Sequence, residues 1–375
     1  MKLFNIVNQQ KNREFLEQAV KNEKIANGYL FYGSEGSGYE GFAMEFAAML
    51  NCHSHSHKPC GQCPSCKKMK SLEHGNVSLL YPVPAVTVTN NENPITRLSK
   101  SDIENLQQLI QEKARNPYKK IRMEKANNIP ISLIRSLKKE IYLSAPEEGW
   151  KVVIVFDADL MKQEAANAFL KILEEPPAKT TIILTTANIS KILPTIKSRC
   201  KPLYFNKLSS DDIKEYLADK NLSEIEIQLL VNLSGGNITA LLKLLEKDIS
   251  EIKSQTLEIL RTIAGWNKKN IYYTIPKLAK IQKSDPELFI QIMSSINFWF
   301  RDAELIRLGI DQSQLVHGDQ YETLRKFVEN YPDFQPWEIS KVIDNCIDFI
   351  NRNVYINLAL TNMFFQIKKY IGKKR

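Results

Sequence analysis

The period of the hydrophobic positions changes partway along this chain. In the first part, short apolar runs alternate with helical stripes. Gly28-Tyr-Leu-Phe-Tyr32 has the character of a buried strand and ends at Gly33. Phe42, Phe46, Ala47 and Leu50 then recur at helical spacing, so strand, glycine loop and helix follow in that order. Val152-Val-Ile-Val-Phe156 and Thr181-Ile-Ile-Leu-Thr-Thr186 predict two further buried strands, and Pro202-Leu-Tyr-Phe205 a weaker fourth. Between the second and third, Ala166, Phe169, Leu170 and Leu173 line one face of a helix over 163–175, which Pro176-Pro177 ends. Continuous apolar strands separated by helices predict a parallel α/β sheet covered on both faces.

After about residue 207 the strand signal stops. Ser209-Ser210-Asp211-Asp212 reads as a helix start. Amphipathic stretches at 225–233, 257–263, 289–308 and 339–371 predict an all-helical C-terminal region made of a small bundle and a larger one. Residues 86–128 fit neither part: a polar run at 90–93, a polar helix near 101–115 and a basic stretch read as a surface insertion. No apolar run is long enough to cross a bilayer, and the first ten residues lack the pattern of a secretory signal, so a cytoplasmic setting without membrane contact is expected.

The 375 residues carry 51 Lys+Arg against 42 Asp+Glu, a formal +9, which permits contact with nucleic acid without requiring it. More specific is the placing of the cysteines. Four of the six, Cys52, Cys60, Cys63 and Cys66, have the spacing C-x7-C-x2-C-x2-C. Zinc takes four soft ligands in a tetrahedron, and Cys-x2-Cys steps bring thiolates to one ion, so a closed structural zinc site is expected. His53, His55 and His57 are alternative ligands, but four cysteines already fill the shell. Cys346 lies in an apolar helical pattern and reads as core.

The loop after the first strand reads Gly33-Ser-Glu-Gly36-Ser-Gly38-Tyr39-Glu40. It keeps the glycines of an ATP-binding phosphate loop. Tyr39, however, stands where a lysine would reach the β and γ phosphates, and Glu40 stands where a hydroxyl would hold Mg²⁺. A carboxylate set about 4 Å from a phosphate costs roughly 4 kcal/mol at an effective dielectric near 20. The same carboxylate in the first turn of a helix gains about 0.3–1 kcal/mol. Glu40 is therefore expected to occupy the electrostatic niche of a phosphate, and no ATP is expected to bind here.

Two further segments carry a resemblance. Asn167-Ala-Phe-Leu-Lys171-Ile-Leu-Glu-Glu-Pro-Pro177 and Ser198-Arg199-Cys200 closely resemble the signatures of bacterial DNA polymerase III clamp-loader subunits. The resemblance implies an AAA+ α/β domain over 1–206 with a zinc module at 52–66 and the insertion at 86–128. A helical lid over 207–250 and an all-α collar over 251–375 would follow. The ATPase members of that family carry the loop lysine and hydroxyl, an Asp-Glu pair and a lid arginine. This chain has Tyr39 and Glu40, Asp157-Ala158, and Thr239 at those places. The three losses resemble the delta-prime branch, a stator without hydrolysis of its own, and the isolated chain is expected to be no enzyme although part of the DNA polymerase III holoenzyme. Arg199 would then act as a finger in a neighbour's ATP site. Partners implied are the gamma/tau ATPases and delta, with the sliding clamp and primed DNA reached through the complex. By the same comparison, Asn188 stands where the family has a nucleotide-sensing residue and reads here as a turn former. Trp266, Trp299 and Trp337 read as core or subunit-interface residues. Two other readings are an active gamma/tau-type ATPase and a stand-alone zinc-containing DNA-binding protein.

Overall fold

The computed structural model describes the chain except residues 1, 2, 8, 56, 88–91, 144, 247, 248 and 375 and the side chain of residue 313. Asn90 and Asn91 of the polar run at 90–93 thus lie outside the described residues. The chain divides into two compact units, one of residues 1–213 with 236–239, the other of residues 214–235 with 240–375.

The first unit is the expected α/β structure. Its elements in order are α1 (Gln10–Lys21), β1 (Gly28–Gly33), α2 (Tyr39–Asn51), α3 (Pro64–Lys70), β2 (Val77–Leu80), α4 (Lys100–Arg115), α5 (Ile131–Ile141), β3 (Lys151–Val155), α6 (Gln163–Glu174), β4 (Thr180–Thr186), α7 (Pro194–Lys197), β5 (Lys201–Phe205) and α8 (Ser210–Leu217), which ends in the second unit. Five parallel strands run in the order β2-β3-β4-β1-β5. β4 is buried along its whole length. Alternation decides what each face meets. Leu30, Val153, Val155, Ile182 and Leu184 point to one side, where Leu133 and Leu137 of α5 and Phe169 and Leu173 of α6 complete a core. On the other side Tyr29 and Phe31 meet Phe46 of α2, with ring centroids 5.1 and 6.5 Å away, and Phe205 packs on Phe31 and Phe42 at 5.3 Å.

β2 has no counterpart in the sequence reading. It is a four-residue edge strand, partly buried, and its register with Val152–Val155 is what makes it a strand. The 86–128 segment also departs from expectation. Its helix α4 is present, but Leu98, Leu106, Lys113, Tyr118, Ile121 and Met123 are buried, so the part from 98 to 123 packs inward and is no surface appendage.

The second unit is entirely helical: α9 (Glu224–Ser234), α10 (Ile238–Glu246), which starts in the first unit, α11 (Ile249–Gly265), α12 (Lys268–Ser284), α13 (Pro286–Arg307), α14 (Tyr321–Asn330), α15 (Pro336–Asn351) and α16 (Ile356–Ile371). Trp299, Phe300, Phe327 and Phe334 form its aromatic centre. Trp266 is half-buried and Trp337 is exposed. Beside the aromatic centre, His317 lies between Asp302 Oδ2 at 3.1 Å and Ser295 Oγ at 3.1 Å. All three residues are sealed from solvent, so this Ser-His-Asp order braces α13 and is closed to any substrate.

Phe169→Ala should lower the stability of the chain by about 3–5 kcal/mol in urea denaturation, because the ring is fully buried between α6 and the sheet. A loss below about 1 kcal/mol would contradict this packing.

Candidate functional site

β1 delivers the glycine loop to the N-terminus of α2. Gly36 and Gly38 have φ of +73° and +93°, in the left-handed region. A Cβ on Gly36 would fall 1.9 Å from Asn237 Oδ1, so the turn admits no side chain there. Gly38 is the N-cap of α2, which places Tyr39 and Glu40 in the first turn, where a helix offers its N–H groups to an anion.

The space beside that turn is lined by Pro117, Tyr118 and Lys120 of the chain itself. Glu40 is buried and its Oε2 is paired with the ammonium of Lys113 from α4. Lys113 also donates to Pro117 O at 2.8 Å and lies 5.1 Å from the centroid of Phe156. Burial pulls the Lys113 ammonium down from the usual lysine range, and the Glu40 carboxylate opposes that pull. Tyr39 is buried, its hydroxyl finds no hydrogen-bond partner among the described residues, and burial holds that hydroxyl well above the ordinary phenol range. Tyr118 reaches both sides of the loop: its hydroxyl accepts from Val7 N at 2.8 Å and its carbonyl accepts from Thr239 Oγ1 at 3.3 Å. The cavity left at the loop is about 20 Å³. That is room for about one water, whereas ligand pockets are about 300 Å³ or more.

A second lysine of the same segment takes the other carboxylate. Lys120 donates to Asp157 Oδ1 at 2.7 Å and lies 3.1 Å from Glu35. Burial disfavours its charge, but Glu40, Tyr39 and Asp157 together hold its pKa above the ordinary lysine range. Asp157 follows β3 with φ of +47°, a conformation that short polar side chains tolerate. The sequence reading missed Lys113 and Lys120. Their only signal was the basic character of the stretch, which does not say what they pair with.

The four cysteines come together at the end of α2 and the start of α3. Their Sγ atoms all lie within 4.8 Å of one another and could hold a metal ion. Cys60 and Cys66 Sγ are 3.9 Å apart, close to the roughly 3.8 Å edge of a tetrahedron with Zn–S bonds of about 2.3 Å. Backbone N–H groups of Gln62 and Cys63 pull the Cys60 thiol down to about 6, while burial pushes Cys52 and Cys66 up. His53, His55 and His57 are exposed and outside the cluster. His74, not singled out in the sequence, is buried behind it. Its Nδ1 accepts from Asn76 N at 3.1 Å, so Nε2 donates to Ser65 Oγ at 2.9 Å and braces the turn between Cys63 and Cys66.

Arg199 follows the short α7, near the end of the signature helix α6. Its guanidinium donates to Thr195 O at 3.0 Å and pairs with Glu174 at 2.7 Å, and 39% of its side chain is exposed. Ser198 Oγ donates to the same carbonyl, and Cys200 is buried, its thiol pushed up to about 12 by burial. Asn167, Lys171 and Glu174 of the signature are all exposed, at helical spacing along one side of α6. Asn188 sits in a turn, its N–H donating to Thr186 Oγ1 at 2.9 Å.

A family model described as "DNA polymerase III, delta subunit" matches residues 8–209. The chain is 22% identical over 316 residues to the DNA polymerase III subunit delta' of Bacillus subtilis, covering 84% of this chain and 82% of that one. It is 28% identical over 300 residues to the corresponding delta' of Pseudomonas aeruginosa, covering 79% and 74%. A solved DNA polymerase III gamma subunit-related protein of Thermotoga maritima aligns over 96% of this chain and 99% of that one, with 20% identity and a TM-score of 0.41. With more than half of its length matched by the family model, this chain belongs to the DNA polymerase III delta subunit family of clamp-loader proteins.

Proposed function

We propose that this chain is a delta-prime-type stator of the DNA polymerase III clamp loader: it hydrolyses no ATP itself and lends Arg199 to the ATP site of a neighbouring gamma/tau-type subunit. The observation that carries this reading is the self-filled phosphate loop, with Glu40 neutralised by Lys113 and a cavity of about 20 Å³. An active ATPase would need a cation facing the loop for the β and γ phosphates, and here Tyr39 is buried and the nearby ammonium groups are committed to Glu40 and Asp157. In this reading Arg199 keeps its reach because it is partly exposed just past the end of a short helix.

Assembly with gamma/tau and delta subunits would use the lid (207–250) and collar (251–375), and through the complex the chain would reach the sliding clamp and primed DNA. Trp337 and Tyr272, 71% and 75% exposed on α15 and α12, suit a surface that another subunit covers. A cytoplasmic setting fits such a role, and among the described residues no helix is long and apolar enough to cross a membrane. The cysteine cluster would hold one structural Zn²⁺, closed by four thiolates and therefore without an open position for catalysis.

Arg199→Ala should fold and assemble as the parent does, while ATP turnover by the reconstituted loader falls, since fingers of this kind contribute about 10³–10⁵ in rate at the site they serve. Unchanged turnover would reduce Arg199 to the helix cap it also is. The purified chain should contain one zinc per molecule by elemental analysis, and Cys66→Ser should lose the metal and lower the melting temperature. A metal-free chain of equal stability would remove the zinc assignment.

A further inference from the structure

We propose that the degenerate phosphate loop has a resident ligand, the segment 113–120 of the chain's own insertion, which does structurally what a nucleotide does in an ATP-binding relative of this fold. This deepens the reading above and rests on it.

Three parts of the first unit meet at the loop. They are the N-terminal segment at Val7, the first turn of α2 at Glu40, and the segment 236–239. The insertion touches all three. Tyr118 takes the Val7 N–H on its hydroxyl and the Thr239 hydroxyl on its carbonyl. Lys113 takes Glu40. The fit is close: a Cβ on Gly41 would lie 3.0 Å from Pro117 Cβ, and one on Gly38 would lie 3.5 Å from the Tyr118 ring. Charge is matched as well as shape. A nucleotide brings anions to cationic loop residues. Here the loop side supplies the carboxylates Glu40 and Asp157, and the insertion supplies the ammonium groups Lys113 and Lys120. Polarity is reversed, so the carboxylates on the loop side favour these ammonium groups over a phosphate.

The ammonium of Lys113 is fully buried, and each member of the pair would be an uncompensated buried charge without the other. The bridge is therefore permanent under native conditions, and the three parts stay joined without ATP. The loader would then contain one subunit whose loop state does not change through the hydrolysis cycle.

The test uses the full chain. Melting temperatures of Glu40→Gln and Lys113→Met should each fall by about 5 °C or more, and the double variant should lose less than the two losses added. Additive losses would overturn the proposal. Tryptic cleavage between residues 113 and 125, followed by mass spectrometry, should accelerate about tenfold in Glu40→Gln, because the segment opens more often. An unchanged cleavage rate would overturn it too. Should Glu40→Gln fail to fold, a folded double variant is the supporting result and an unfolded one the contrary result. None of these measurements involves Arg199 or the loader, so they can fail while the stator reading stands, and the turnover assay can fail while they succeed.

Discussion

The first unit depends on one buried ion pair that joins residues 73 positions apart, Glu40 and Lys113. A carboxylate at the first turn of α2 is favoured by the helix dipole, but burial would make it costly if it stood alone. A lysine enclosed at the end of α4 is in the same position. Each charge is tolerable only because of the other, and breaking such a pair costs about 3–5 kcal/mol. The consequence is topological: α4 cannot drift over the surface, because Lys113 must return to the phosphate loop. Once it does, Pro117 and Tyr118 are carried into the space beside the glycines, and Lys120 is brought to Asp157. The closure of the site follows from the pair and not from the loop sequence alone.

This also explains what could and could not be read from the sequence. β1, β3 and β4 were legible because strands buried on both faces are continuous apolar runs. β5, at the sheet edge with only Leu203 and Phe205 buried, gave a weaker signal. The loop was legible because Gly36 and Gly38 answer to local backbone conformation. The C-terminal helices showed themselves by periodicity. β2 was not legible: four residues containing Ser78 at a sheet edge carry too little apolar pattern, and only pairing with Val152–Val155 defines them. The insertion misled for a different reason. A lysine in a polar helix is ordinarily solvated, and periodicity has no way to mark the one that is neutralised by a carboxylate in another element. Glu40 led to the expectation that the loop takes no phosphate, but did not say which cation would pair with its carboxylate.

The cysteine cluster shows an intermediate case. Spacing brought out the four cysteines that lie together, because Cys-x2-Cys steps are a local constraint. The support behind them was hidden, since His74 reaches Ser65 only after the chain has turned through α3. The clustering of the cysteines was legible and its bracing was not, which is the usual division between residues fixed by local spacing and residues fixed by tertiary contact.

The same physics separates the two cationic features of this unit by what each can do. Lys113 is enclosed, so its partner cannot be exchanged without exposing two charges to a low-dielectric interior, and it can serve only as structure. Arg199 pairs with Glu174 in solvent, where an exposed pair is worth about 0–1 kcal/mol and is screened by salt. A phosphate presented by another subunit, in a drier site and with bidentate geometry, would outcompete that carboxylate. The proposed role in trans needs such an exchange, and the resting contact with Glu174 is weak enough to permit it while keeping the guanidinium oriented at the end of α7. In the proposed reading, a chain that has committed the ammonium groups at its own loop to carboxylates and left a guanidinium loosely held at the edge would act on a neighbour's nucleotide and not on one of its own.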